Sequence, residues 1–178
     1  MEIEKLLRQA TANIDPQYFQ LPVAGLEDPV YRERVYCYEL YHQLRLLLPK
    51  DSRYVLSGEV DKSGHPLIRN NSMDNTKPDF LIHSPGNMQN NLLVMEVKPV
   101  NAQRNGIKKD LKTLTAFARW GYTHAFYLIY GAGDETFEKL LSLAISIAQK
   151  DGGKTIDLGR IRLWYHQRAN VSAEITSW

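Results

Sequence analysis

The sequence predicts a mixed α/β domain in which a β-sheet with an antiparallel start is covered by helices. Three observations lead there. A strongly periodic helical stretch precedes residue 50, two apolar strands flank a turn signal between 79 and 98, and helix and strand alternate from 106 to 166. The order reads α, β, β, β, α, β, α, β, after a short N-terminal segment. Consecutive strands joined by a turn pair antiparallel, whereas strands separated by a helix pair in parallel through a crossover.

Taken in order, Ile3 to Ala12 reads as a short helix ended by Asp15-Pro16. From Pro29 to Leu48 the apolar residues Cys37, Leu40, Tyr41, Leu44, Leu47 and Leu48 recur at helical spacing and predict a core-facing stripe, with Arg32, Tyr36, Glu39 and Gln43 opposite. Pro49 stops that helix. Tyr54 to Val60 is rich in β-formers, and Asp79 to His83 and Leu92 to Lys98 flank Ser84-Pro85-Gly86-Asn87, which predicts a hairpin. Gly106 to Trp120 is helical, with Ile107, Leu111, Leu114 and Ala118 on one stripe, and Gly121 closes it. Thr123 to Tyr130 reads as a buried strand, Asp134 as the N-cap of a helix through Gln149, and Ile161 to His166 as a last strand.

A chain of 178 residues with 43% apolar side chains is long enough for one well-packed domain, so 1–178 reads as a single unit. Within it, 1–28 is an N-terminal extension, 30–130 a core of order αβββαβ, and 131–178 a C-terminal helix and strand. The lone thiol, Cys37, excludes an internal disulfide and a Cys-rich zinc site. Glu2, Glu4, Lys5 and Arg8 interrupt the stretch where a signal peptide would be apolar, and no run reaches transmembrane length, so a soluble, cytoplasmic protein without membrane association is expected. With 22 basic and 20 acidic residues, totals do not identify a polyanion binder.

The informative segment is Pro78-Asp79-Phe80-Leu81-Ile82, followed by Glu96-Val97-Lys98 in the next strand. Side chains alternate along a strand, so Glu96 and Lys98 share a face while Val97 points away. Paired as a hairpin, Asp79 lies across from Glu96, and two carboxylates and an ammonium converge at one end of a sheet. Charges at strand ends are ordinarily solvated. Here the flanking runs LLVM and FLI indicate strands buried on both faces, where an unpaired carboxylate costs several kcal/mol and is kept only with a partner or a function. Such a set suits a hard divalent ion with waters left to act as nucleophile.

Pro78-Asp79 and Glu96-Val97-Lys98, with a helix before and a helix after, resemble the PD-(D/E)XK nuclease superfamily over roughly residues 30 to 130. The resemblance implies a restriction-endonuclease-like fold and a DNA nuclease that uses Mg²⁺ or Mn²⁺, by expectation an endonuclease. It further implies that Asp79 and Glu96 ligate the metal with the Val97 carbonyl, while Lys98 orients or deprotonates the attacking water and steadies charge on the phosphate. A further catalytic acid is common in such proteins. Glu39, on the polar face of the long helix, is preferred for it over Glu59 at the end of the first strand.

From Lys98 to Arg119 six basic residues face one acid, Asp110. Arg104, Lys108, Lys109 and Lys112 form a stripe that suits phosphates or a solvated face, and the resemblance favours DNA. Asn101 and Gln103 are rim candidates. A nuclease this small is expected to act as a homodimer or with a partner protein of a defence or repair system. The competing reading is a non-cleaving nucleic-acid-binding or accessory subunit with the same fold. His42 and His83 read as structural, Cys37 as a core thiol, and Gly131-Ala132-Gly133 as a turn. The tyrosines at 31, 36, 38 and 41 divide between core and base stacking.

Overall fold

The computed structural model describes residues 2–59, 77–86 and 90–178. The chain forms α1 (Ile3–Ala12), α2 (Pro16–Phe19), α3 (Glu33–Leu47), β1 (Val55–Gly58), β2 (Phe80–His83), β3 (Asn91–Pro99), α4 (Arg104–Arg119), β4 (His124–Tyr130), α5 (Asp134–Asp151), β5 (Arg162–His166) and β6 (Glu174–Thr176). A single 3₁₀ turn, Leu158–Arg160, leads into β5. The segment 63–76, a candidate for substrate contact in the sequence, lies outside the described residues, as do Val60 and Asn87 at the margins of two predicted elements.

The six strands form one open mixed sheet in sequence order. β2 pairs antiparallel with both β1 and β3; β3, β4 and β5 are mutually parallel, and β6 returns antiparallel on β5. Because β3, β4 and β5 advance in one direction, two crossovers of the same hand place both connecting helices on one face. That face buries Ile107, Leu111 and Leu114 of α4 and Phe137, Leu140 and Ala144 of α5 against Val94, Tyr127, Ile129 and Leu163. The opposite face packs α1, α2 and α3 on Leu93, Met95, Val97, Phe126, Leu128 and Trp164. β3 and β4 are therefore central strands whose alternate residues enter two different cores. The apolar runs predicted this double burial, and Leu93 to Val97 are at most 4% exposed.

α3 differs from its predicted phase. The buried set is Tyr36, Leu40 and Leu44, spaced i, i+4 and i+8, so the helix is rolled by about one residue from the stripe that began at Cys37. Tyr36, assigned above to the polar face, stacks on Tyr130 with centroids 3.8 Å apart, and its hydroxyl bonds His166 Nδ1 at 2.7 Å. The large amphipathic ring wins the interior position because its polar end finds a buried partner. α5 is capped by the backbone of Gly133 at φ +106°, not by Asp134, whose carboxylate accepts a bond from Gln167 Nε2 instead. Gly131 admits no side chain, since a Cβ there would lie 2.6 Å from Val100 Cγ2. Ala132 N–H donates to the Tyr31 hydroxyl, so this loop is packed inward as a turn.

The chain's early and late segments meet. Thr11 Oγ1 accepts the Ala173 N–H at 2.9 Å, Arg8 pairs with Glu174, and Arg162 pairs with Glu4. Neither α2 nor the three-residue β6 carries a periodic pattern in the sequence.

Candidate active site

The hairpin register Phe80↔Met95 sets Asp79, the residue before β2, across from Glu96. Two bonds hold the pair. Val97 N–H donates to Asp79 Oδ2 at 2.8 Å, and Asp79 N–H reaches Glu96 Oε2 at a long 3.4 Å. The Asp79 carbonyl accepts from Glu59 N–H at 3.2 Å, which ties the end of β1 to the same point. Asp79 thus occupies the end of the ladder, and Val97 contributes its amide there while its side chain enters the α1–α3 core.

Lys98 shares the Glu96 face and extends beyond the sheet end. Its Nζ lies 2.9 Å from Glu33 Oε1, on the first turn of α3, and 3.3 Å from Asp110 Oδ2, on α4. The contact to Asp110 is an ion pair without hydrogen-bond alignment, so that buried oxygen has no hydrogen-bond partner. The ammonium is 13% exposed and links helices from both sides of the sheet. Two further acids, Glu33 and Asp110, therefore join the group.

Sequence reasoning missed both. Asp110 was counted as the odd acid in a basic stripe, but Ile107, Asp110 and Leu114 are spaced i, i+3 and i+7, which places the carboxylate on the buried stripe. That phase was a usable signal. Glu33 carried none beyond its place near the start of a helix.

The electrostatics follow from four carboxyl groups around one ammonium. Burial raises the Asp79 pKa, offset in part by Lys98 and by the Val97 N–H. Glu96 is held well above the ordinary carboxylate range by burial, then by the charges of Asp79 and Asp110. Burial also pushes Asp110 up to about 7 despite the attraction of Lys98. For Lys98 burial alone would lower the pKa, but Asp110, Asp79 and Glu33 outweigh it and keep the amine firmly protonated. The Cys37 thiol, near the same acids, is raised well above its usual value by burial and by Asp79 and Glu33, which leaves it neutral.

Of the other expected site residues, Glu39 is not brought to the cluster. It lies six residues beyond Glu33, about 240° around α3, and its carboxylate accepts a 2.6 Å bond from Gln43 Nε2. Glu59 borders the site at φ +47°, with its side chain 3.6 Å from Arg34. Arg104, Lys108 and Lys109 are exposed on α4. Lys112 is half-buried near Asp151; against burial, bonds from Thr155 and Ile156, and last the Lys112 charge, hold that carboxyl down at about 2. Arg119 donates to the carbonyls of Gly153 and Lys154. Asn101 and Gln103 are exposed before α4, His42 is exposed, and His83 Nε2 lies 3.3 Å from Ser57 Oγ.

Among the described residues, no group of three or more His, Cys, Asp or Glu side chains is arranged to hold a metal ion. Asp79 and Glu96 make a pair, a number that Mg²⁺ commonly accepts while keeping several waters. Among the described residues no helix is long and apolar enough to cross a membrane. Comparison with known proteins returned no matching family, no matching curated protein and no matching solved structure.

Proposed function

We propose that the chain is a divalent-metal-dependent DNA nuclease, an endonuclease with a restriction-endonuclease-like fold, whose working residues are Asp79, Glu96 and Lys98. One observation carries the reading: a cross-strand pair of carboxyl groups at a sheet end, Glu96 buried and Asp79 half-buried, in a cluster whose acids outnumber its single ammonium. Carboxyl groups that keep protons because positive charge is lacking are suited to exchange those protons for a cation. The strand order, a three-strand meander followed by a parallel crossover, agrees with the core expected of such nucleases.

Asp79 and Glu96, with the Val97 carbonyl, would hold Mg²⁺ or Mn²⁺. The bound ion would supply Lewis acidity and a water acidified toward neutral pH. Lys98 stays protonated, so its part is to attract the scissile phosphate, orient the water and stabilise the growing negative charge, not to remove a proton. Glu33 and Asp110 position that ammonium. The exposed Arg104, Lys108 and Lys109 offer phosphate contacts beside the site.

A cleavage assay on supercoiled plasmid, linear duplex, branched and single-stranded DNA tests this, with Mg²⁺, Mn²⁺ or EDTA. Metal-dependent cutting is expected, including of the closed circle. Asp79→Asn, Glu96→Gln and Lys98→Ala should each lose at least about 100-fold. Asp79→Asn keeps an acceptor for the Val97 amide and so spares the fold. Full activity in any variant removes that residue from the mechanism.

A second reading, a non-cleaving nucleic-acid-binding subunit of a defence or repair complex, has one observation in its favour: Asp79 and Glu96 form only a pair, and Lys98 is already engaged by Glu33 and Asp110. Calorimetry separates the two. DNA binding without Mg²⁺ binding at Asp79 and Glu96 favours the accessory role.

A further inference from the structure

The fold sorts the four tyrosines near the start of α3. Tyr36 is buried against Tyr130, and Tyr31 packs edge-on to Phe19 and Tyr130. Tyr38 and Tyr41 instead line a groove of about 430 Å³ between α3 and the β1–β2 side of the sheet, together with Cys37, Phe80 and Asp79. Asp79 belongs to both the groove and the acidic cluster, so an occupant of one adjoins the other.

The walls have distinct properties. Tyr38 is 65% exposed, an unusual placement for a large ring and one that presents a stacking surface. Tyr41 is fixed, its hydroxyl donating to the Leu56 carbonyl at 3.3 Å and its ring nearly parallel to Phe80. Arg34 lines the groove and faces Glu59 at 3.6 Å, both side chains mostly exposed. Such a pair is weak, and a phosphate would compete for the guanidinium with charge-assisted bonds of its own.

The volume matches sites for single small molecules. That is room for one nucleotide and too little for a duplex. Aromatic walls favour a base whose faces are free, as in an unpaired strand, because a base inside a duplex already stacks on its neighbours.

We propose that this groove receives one unpaired nucleotide of a DNA strand, its base against Tyr38 and Tyr41 and its phosphate toward Arg34, adjoining the phosphate to be cleaved at Asp79 and Glu96. The preferred substrate is then unpaired DNA, whether single-stranded, branched or locally opened in a supercoiled circle, over blunt linear duplex. This rests on the nuclease reading above, and the test separates the two.

Cleavage of one labelled sequence, presented as single strand, as flapped duplex and as blunt duplex, is compared in Mg²⁺ for wild type, Tyr38→Ala and Tyr38→Phe. In parallel, binding of a labelled hexathymidylate is measured with Ca²⁺ in place of Mg²⁺. Wild type should prefer the single strand and flap. Tyr38→Ala should lose about tenfold in kcat/KM and in binding on unpaired DNA, with little change on duplex, and Tyr38→Phe should restore both. Cleavage indifferent to strand pairing and to Tyr38 overturns the groove assignment alone. Tyr38-dependent binding without any cleavage overturns the nuclease reading and keeps the groove. Absence of both cleavage and Tyr38-dependent binding overturns both.

Discussion

At Lys98 the chain sets one ammonium among the carboxyl groups of Glu33, Asp79, Glu96 and Asp110, and the surplus acids Asp79, Glu96 and Asp110 respond with raised pKa values. The consequence for stability has a definite sign. Asp110 has a folded-state pKa of about 7 against 3.8 for an ordinary aspartate. Between those values the folded protein binds a proton that the unfolded chain has released, so stability falls as pH rises and levels off above about 7. Glu96 and Asp79 act in the same sense. Urea unfolding in EDTA should therefore give a less stable protein at pH 8 than at pH 5. Asp110→Asn should flatten the slope, by up to about 1 kcal/mol per pH unit for a group this buried. An equal slope in wild type and variant would show that Asp110 is not the group titrating. Added Mg²⁺ should stabilise more at pH 8 than at pH 5, because the ion need not displace protons there.

Among the predicted elements, β3 was the most legible, while α3 was legible as a helix but not in its phase. Asp79, Glu96 and Lys98 stood out because charges interrupted the apolar runs FLI and LLVM, and those runs do lie in two cores. Asp110 and Glu33 stayed hidden, since charge counting along α4 ignored helical phase and nothing local links Glu33 to a strand about 65 residues later. The roll of α3 was ambiguous because Leu40 and Leu44 belong equally to the stripe through Tyr36 and the one through Cys37. Tertiary packing on Tyr130 and His166 decided it, and that packing is invisible in a local window. Tyr36→Phe tests the decision. It keeps the ring stacked but strips His166 Nδ1 of its partner, and should cost about 1–3 kcal/mol in chemical denaturation. A neutral effect would mean that the hydroxyl contributes nothing to seating the helix.

For the whole molecule, a charge of +2 gives no general field for a polyanion, so under the proposed nuclease reading any DNA contact falls to the exposed side of α4. Replacing Lys108 and Lys109 together with Ala should weaken DNA binding across sequences and reduce the slope of log affinity against log salt by about 2. Titration at several ionic strengths reads this directly. An unchanged slope would return the stripe to ordinary solvated surface. The expected homodimer is checked by light scattering, where a mass near 20.5 kDa would exclude it.

The bonds from Thr11 to Ala173 and from Arg8 to Glu174 span 162 and 166 positions of sequence, nearly the length of the chain. Residues 173 and 174 must therefore leave the ribosome before these polar partners of α1 exist. The apolar face of α1, around Leu7 and Ala10, packs in one cluster with Leu40 and Leu44 of α3, close in sequence, so that packing forms without the long loop and the polar clamp to β6 is the part that must wait.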